Sequence, residues 1–196
     1  MKTIMKTTLL KTQMFLVASL VVLGCNDSDK KTTDYEPQVT IEAQIEKGKN
    51  LVNAMGCNDC HSPKVMTDRG PIPDPNRLLS GHNSNEILPA YDSETAKSYV
   101  LFNMNSTAAV GPWGISYSGN LTPDDTGIGT WSEAQFLKAM KEGKYKGLEG
   151  SRPLLPPMPW QAYSQMPDED LKAIFAYLKS IKPVENIVPA AKIAGM

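Results

Sequence analysis

The stretch Cys57-Asn58-Asp59-Cys60-His61 is the most informative part of the sequence for the fold and for the function. It contains two of the three cysteines and one of the two histidines in a protein of 196 residues. The third cysteine, Cys25, lies far upstream. So few cysteines, in an odd number, do not suit the disulfide framework that stabilises small secreted domains. Each cysteine therefore needs an explanation of its own.

The C-x-x-C-H spacing of this stretch is typical of covalent haem c attachment. Two thiols three positions apart can form thioethers with the vinyl groups on one haem edge, and the adjoining His61 then lies under the ring as an iron ligand. Three other interpretations of these residues are possible. They are a redox-active C-x-x-C, a plain disulfide, and a zinc site formed by Cys57, Cys60, His61 and His82. The redox motif lacks its usual strand–helix setting, and zinc would need two adjacent ligands. We predict one covalently bound haem c.

An electron-carrying haem iron takes a second axial ligand from its other face, and few side chains qualify. The candidates are one histidine and four methionines: His82, Met104, Met158, Met166 and Met196. Met158 stands in a loop with four prolines between Pro153 and Pro159, which fix φ and exclude a helix. Such a stiff loop can hold a thioether with little entropy left to lose. Met166, next to Pro167, fits a packing role better.

These segments together resemble the class I cytochromes c. The resemblance rests on CNDCH at 57–61, on the loop PPMPW at 156–160 and on a final helix from Met166 to Ser180. It implies an all-α fold with a loop-rich insertion between the haem motif and the third helix, and it makes Met158 the sixth iron ligand. The segment 120–131 is similar to a bacterial subgroup found as small cytochromes and as cytochrome subunits of periplasmic dehydrogenases.

Three helices are expected from periodicity and end signals. The first spans 45–56 and contains Gly48, which indicates close approach of another element, in this family the last helix. The next begins at Ser132, whose spacing to Gln135 is that of a capping box, and stops near Gly143. In the last helix Pro167 fits the first helical position, and the apolar stripe consists of Leu171, Ile174, Phe175 and Leu178.

The segment 62–130 is rich in Pro, Gly, Asn and Ser, and we expect loops there. Segments 98–103 and 114–121 are expected to pair as a short β-hairpin. Trp113 and Trp131 could donate to the haem propionates or simply pack, and packing is favoured. Arg77 and Arg152 could pair with a propionate or lie in solvated loops.

The first 24 residues predict an export signal. Three lysines and no acid precede an apolar run from Met14 to Gly24, which would span roughly 16 Å as a helix, about half of a bilayer core. The end of this run, Val22-Leu-Gly-Cys25, resembles a lipoprotein cleavage box, so Cys25 is the predicted lipidation site. The alternatives are an ordinary signal peptide with an incidental cysteine and an uncleaved anchor. We expect a flexible tether over 25–44, or an extension packed on the domain, then a cytochrome domain over 45–185 and a tail over 186–196.

The charge balance argues against nucleic acid as a partner. Twenty Lys and Arg against twenty-one Asp and Glu give a net charge of −1, with no basic block to follow a phosphate backbone.

We expect a membrane-tethered electron carrier on the periplasmic face, without catalysis because both axial positions are filled. Its partners would be a dehydrogenase, an oxidase or a quinol-oxidising complex. The alternatives are a haem c subunit of a larger dehydrogenase or oxidase and, less favoured, a haem-based sensor.

Overall fold

A computed structural model describes residues 40–195, which lie within one compact unit. It contains six α-helices: α1 (Ile41–Ala54), α2 (Cys57–His61), α3 (Ser93–Ala96), α4 (Glu133–Glu142), α5 (Trp160–Tyr163) and α6 (Asp168–Ser180). Six strands accompany them: β1 (Lys64–Thr67), β2 (Gly70–Pro73), β3 (Leu101–Phe102), β4 (Ala108–Gly111), β5 (Gly114–Tyr117) and β6 (Lys192–Ile193). A single 3₁₀ turn covers Tyr145–Gly147.

The predicted all-α fold is wrong, because the strands form two antiparallel sheets. The first is the hairpin β1–β2, and the second has the order β3–β4–β5–β6. Prolines and glycines between the haem motif and α4 bar long helices, so the backbone groups of this insertion pair between strands instead. The insertion expected as loops therefore contributes five of the six strands.

The expected pairing of 98–103 with 114–121 is also wrong. Those segments contain β3 and β5, but each pairs with β4, which lies between them. Strand β4 has the sequence AAVG and all four of its residues are buried, so it lacks the alternation that identifies a half-exposed strand. The β4–β5 turn closes between Gly111 and Gly114, and Gly114 has a φ of 104°.

The long helices agree with the sequence except at both ends of α1 and at the start of α6. Helix α1 begins at Ile41, four residues earlier than expected, because the Thr40 hydroxyl accepts a hydrogen bond from the Ala43 amide at 3.2 Å. Helix α4 has the predicted Ser132 cap and ends at the left-handed Gly143. Pro167 caps α6 rather than occupying its first turn.

The core lies where α1, α4 and α6 meet. All four residues of the predicted α6 stripe are buried there, together with Val52 of α1 and Phe136 of α4. A Cβ at Gly48 would lie 1.9 Å from the carbonyl oxygen of Ala173, which confirms the close approach of α1 to α6. This helix pair forms the base from which the haem motif projects.

The C-terminal residues pack on the same unit. Within 186–196, expected as a tail, β6 pairs with β5, and the buried Asn186 side chain donates to the carbonyls of Ser80 and His82 at 2.7 and 2.8 Å. The leader 1–24, Cys25 and most of the expected tether lie outside the described residues, and residues 41–44 form the first turn of α1. Among residues 40–195, no helix is long and apolar enough to cross a membrane.

Candidate haem-binding site

The haem motif forms a short helix of its own, directly after α1. Gly56 separates the two helices and adopts the left-handed conformation, with a φ of 68°. Cys57 and Cys60 both carry free thiols; Cys57 packs against the core and Cys60 is half-buried. The motif is therefore held at the edge of the core, with both thiols unbonded.

The thiol environment argues against a redox-active C-x-x-C. Burial raises the pKa of Cys57 to about 11 and also raises the pKa of Cys60. Reactive cysteines of the thioredoxin type instead have depressed pKa values, because the thiolate is the nucleophile. Zinc gains no support either, since no cluster of three or more His, Cys, Asp or Glu side chains able to hold a metal is found between residues 40 and 195.

His61 is oriented by a carbonyl from a distant part of the chain. Its Nδ1 lies 2.8 Å from the Gly119 oxygen, so Nδ1 carries the proton and donates it to that carbonyl. Burial lowers the pKa of His61, although the Gly119 carbonyl opposes this. The ring is thereby kept neutral with its Nε2 lone pair available, the state in which histidine binds a metal.

The C-terminal end of α2 is fixed by several contacts with the insertion. The Gly81 amide donates to the His61 carbonyl at 2.7 Å, and the Leu79 amide donates to the Ser62 hydroxyl at 2.8 Å. The Ser62 hydroxyl in turn donates to Asn58 Oδ1 at 2.8 Å. These bonds satisfy polar groups at the helix end and position His61 against residues 79–81.

Met158 lies in the proline-rich loop between α4 and α5, half-buried and packed against the same core cluster as Cys57. The loop is tied to the sheet because the Ser116 hydroxyl donates to the Pro156 carbonyl at 2.6 Å. A cavity of about 230 Å³ opens beside the loop, and Met158 lines it. Met158 therefore borders open space in a loop that a hydrogen bond joins to β5 at Pro156.

The other candidate axial ligands have different surroundings. Met104 is 83% exposed, Met166 packs against the core, and Met196 lies outside the described residues. His82 is completely buried, and its Nδ1 lies 3.0 Å from the Thr107 hydroxyl oxygen. It directly follows Gly81, whose amide donates to the His61 carbonyl, so the backbone of His82 lies beside His61.

Most of the side chains considered as partners of the haem propionates instead contact other parts of the protein. Trp113 donates its indole N–H to the Ser116 hydroxyl at 3.2 Å, and Trp131 packs against the core. The Arg152 guanidinium lies 3.9 Å above the ring of Tyr145. Arg77 differs, because its buried Nε has no hydrogen-bond partner among the described residues.

Sequence reasoning missed four residues that shape this site: Lys64, Ser116, Gly119 and Tyr163. Gly119 and Ser116 act through contacts with residues far away in the sequence. The Tyr163 hydroxyl donates to the Met55 carbonyl at 3.2 Å, which ties α5 to the turn before the motif. No local sequence pattern indicates such contacts. Lys64 is different, because its position three residues after His61 could have indicated a role near the motif.

Comparison with known proteins extends the resemblance. No model of a protein family matches the chain. It is 42% identical over 149 residues to one of the subunits of the nicotinate dehydrogenase of Pseudomonas putida, a match that covers 76% of this chain and 9% of that protein. It is 39% identical over 84 residues to the fructose dehydrogenase cytochrome subunit of Gluconobacter japonicus, covering 42% of this chain and 17% of the relative.

A third relative is the cytochrome c subunit of the quinone-dependent alcohol dehydrogenase of Gluconacetobacter polyoxogenes. It is 44% identical over 75 residues, covering 37% of this chain and 15% of the relative. The chain thus spans less than a fifth of the length of each of these proteins. The relationship predicted from the motifs is confirmed: this chain is a relative of the cytochrome c subunits of bacterial dehydrogenases.

Proposed function

We propose that this chain is a c-type cytochrome that carries single electrons as the haem c subunit of a dehydrogenase complex. The sequence alone favours a free carrier, with the subunit role as the alternative. Two of the relatives are named as cytochrome subunits of dehydrogenases, which favours the subunit role. Electron transfer is common to both roles.

The observation that carries the proposal is the orientation of His61. Two free thiols lie on the same short helix, and the Gly119 carbonyl holds the imidazole as the tautomer with Nε2 available. A disulfide or a redox dithiol would have no use for an oriented imidazole at this position. The donor set fits a haem attached through Cys57 and Cys60 and ligated by His61.

Met158 is the residue we assign as the second protein ligand that would bind the haem iron. Its thioether is a soft ligand that favours ferrous iron, and it lies in a loop held by Ser116. The haem supplies one-electron exchange between ferrous and ferric iron. If His61 and Met158 both bound the iron, no position would be left on it for a substrate, and the protein would carry electrons without catalysing a reaction itself.

Covalent haem is tested by expressing the chain in a host that matures c-type cytochromes. We expect one haem per chain, with Soret absorption that survives extraction in acid acetone. Cys57→Ser and Cys60→Ser should each lose one of the two thioether bonds, whereas Ser28→Ala should keep both. A colourless wild-type protein from this host would contradict the proposal.

The assignment of Met158 has a separate spectroscopic test. Ferric haem with a histidine and a methionine ligand has a weak far-red absorption band, and Met158→Ala should abolish it while leaving the haem attached. Met104→Ala changes an exposed methionine and should leave the band intact. Persistence of the band in Met158→Ala would assign the ligand to another residue.

The partner is tested on the native protein in detergent. If the chain is a subunit, an affinity-tagged copy should co-purify with a dehydrogenase polypeptide in a fixed ratio. A tagged chain that elutes alone, while still reducing an added electron acceptor, would favour the free carrier.

We further propose that the chain is exported and anchored through a lipid on Cys25, a residue outside the described range.

A further inference from the structure

Lys64 is the first residue of β1, and its side chain folds back onto the C-terminal end of the haem-motif helix. Its ammonium donates to the carbonyl oxygens of Asp59 at 2.9 Å and Asn58 at 3.3 Å, and also to that of Ser62. These carbonyls lie within or directly after α2, the helix that carries His61. The cation thus occupies the negative end of the helix.

The position of Lys64 is fixed from the opposite side by the turn between β3 and β4. Its ammonium also donates to the Asn105 carbonyl at 3.1 Å, and its backbone amide donates to Asn105 Oδ1 at 3.0 Å. The Asn105 side chain is itself held by a hydrogen bond to Glu86 Oε2 at 2.8 Å. Lys64 therefore joins the motif helix to the sheet instead of extending into solvent.

These contacts suit an ammonium group better than a neutral amine. Four carbonyl oxygens surround a group that has three N–H donors when charged. A partly buried charge with fixed acceptors interacts more strongly with its surroundings than a solvated one. Burial lowers the pKa of Lys64, and the neighbouring Cys60 and Asp59 oppose this shift. Glu86, which is hydrogen-bonded to Asn105, is a further acidic side chain nearby.

We propose that Lys64 is a positioning residue of the haem site, whose cation holds the end of the motif helix and raises the reduction potential of the iron. The inference rests on the proposed function, because it requires a haem ligated by His61. Ferric haem carries one more positive charge than ferrous haem, so a fixed cation near the ligand helix disfavours the ferric state. Loss of the cation should therefore lower the potential.

The test compares Lys64→Gln with the wild-type protein, both loaded with haem. We expect a lower midpoint potential in Lys64→Gln, with the far-red band retained. Amide hydrogen exchange over residues 57–62 should also be faster, because the carbonyls at the helix end lose their donor. The matched control is Lys97→Gln, which removes an exposed lysine paired with Glu94 and should change neither quantity.

Two results would overturn the proposal: an unchanged potential in Lys64→Gln, or a fall no larger than that in Lys97→Gln. If Lys64→Gln fails to mature, Lys64→Arg replaces it, because that variant keeps the charge and is expected to have the wild-type potential. A lowered potential in Lys64→Arg would then contradict the role of charge. A wild-type chain without haem would refute the proposed function and, with it, the effect on the potential. Amide exchange in Lys64→Gln would then test separately whether the cation holds the end of the helix.

Discussion

At the scale of single residues, His82 is a buried ionisable group outside the set of residues that we propose to hold the haem. Its side chain has no exposed surface, its ring lies 4.8 Å from that of Tyr117, and its Nε2 has no partner among the described residues. Burial lowers the pKa of His82, while Glu86, 4.0 Å from Nδ1, opposes this. The folded protein therefore favours the neutral imidazole.

This burial makes the stability of the protein depend on pH. Because the pKa of His82 lies below its ordinary 6.5 in the folded protein, the unfolded chain binds more protons as the pH falls through 6.5. The contribution of His82 is complete above 6.5 and is lost below it, by at most about 1.4 kcal/mol per pH unit. Urea unfolding of wild type and His82→Gln at several pH values should show the steeper acid loss in the wild type. Parallel curves for the two proteins would contradict this linkage.

Residues of the site differ in how far the sequence reveals them. Cys57, Cys60 and His61 are predictable because covalent haem attachment requires three side chains at a fixed local spacing. Gly119 is not predictable in the same way, because it acts through its backbone carbonyl and lies 58 positions from His61. Lys64 is an intermediate case. Its distance from the motif can be read from the sequence, but only the structure shows that its side chain folds back onto the helix.

At the scale of elements, the packing of α1 against α6 depends on one missing side chain. Gly48 and the backbone of Ala173 meet where the two helices cross, and a Cβ at Gly48 would lie 2.9 Å from the Cβ of Tyr177 as well. The obstacle at Ala173 is backbone, which cannot move aside as a flexible side chain can. The helices must therefore separate if residue 48 becomes larger.

Gly48→Ala measures this constraint. Alanine favours the helix by about 1 kcal/mol over glycine, but overpacking costs about 1–3 kcal/mol, and the backbone contact places this site at the upper end. We expect a net loss of about 2 kcal/mol in the free energy of unfolding, measured with urea. The exposed Asn50→Ala on the same helix should be neutral or slightly stabilising. A stabilised Gly48→Ala protein would show that the helices do not meet as described.

The three long helices were predictable here, whereas the short helices and the strands were not, for a physical reason. In α6 the apolar residues recur at the spacing of one helix face, and all four residues of that stripe are buried. Strands β3 and β6 have two residues each and β4 is buried throughout, so none of them shows a two-residue period. Their pairing depends on contacts between separate segments, which a single sequence does not encode locally.

At the scale of the whole molecule, the described unit corresponds to a small part of much longer relatives. It includes the motif helix, the Met158 loop and both sheets within residues 40–195. Removal of residues 1–24 would take three lysines and no acid from the chain, which leaves a net charge of −4. An acidic carrier suits a partner with a basic docking face, and salt should then weaken their association.

The proposed lipid on Cys25 makes a prediction about where this whole molecule is found in the cell. Cys25→Ser removes the only thiol of the predicted cleavage box, so no acyl chains can be added, and hydrophobic anchoring by several chains is lost. We expect wild-type protein in the membrane fraction and Cys25→Ser in the soluble fraction, measured by immunoblot of fractionated cells. Ser28→Ala, a nearby change outside the box, should remain with the membrane. Cys25→Ser protein that stays in the membrane fraction after a high-salt wash would show that something other than this lipid holds it there.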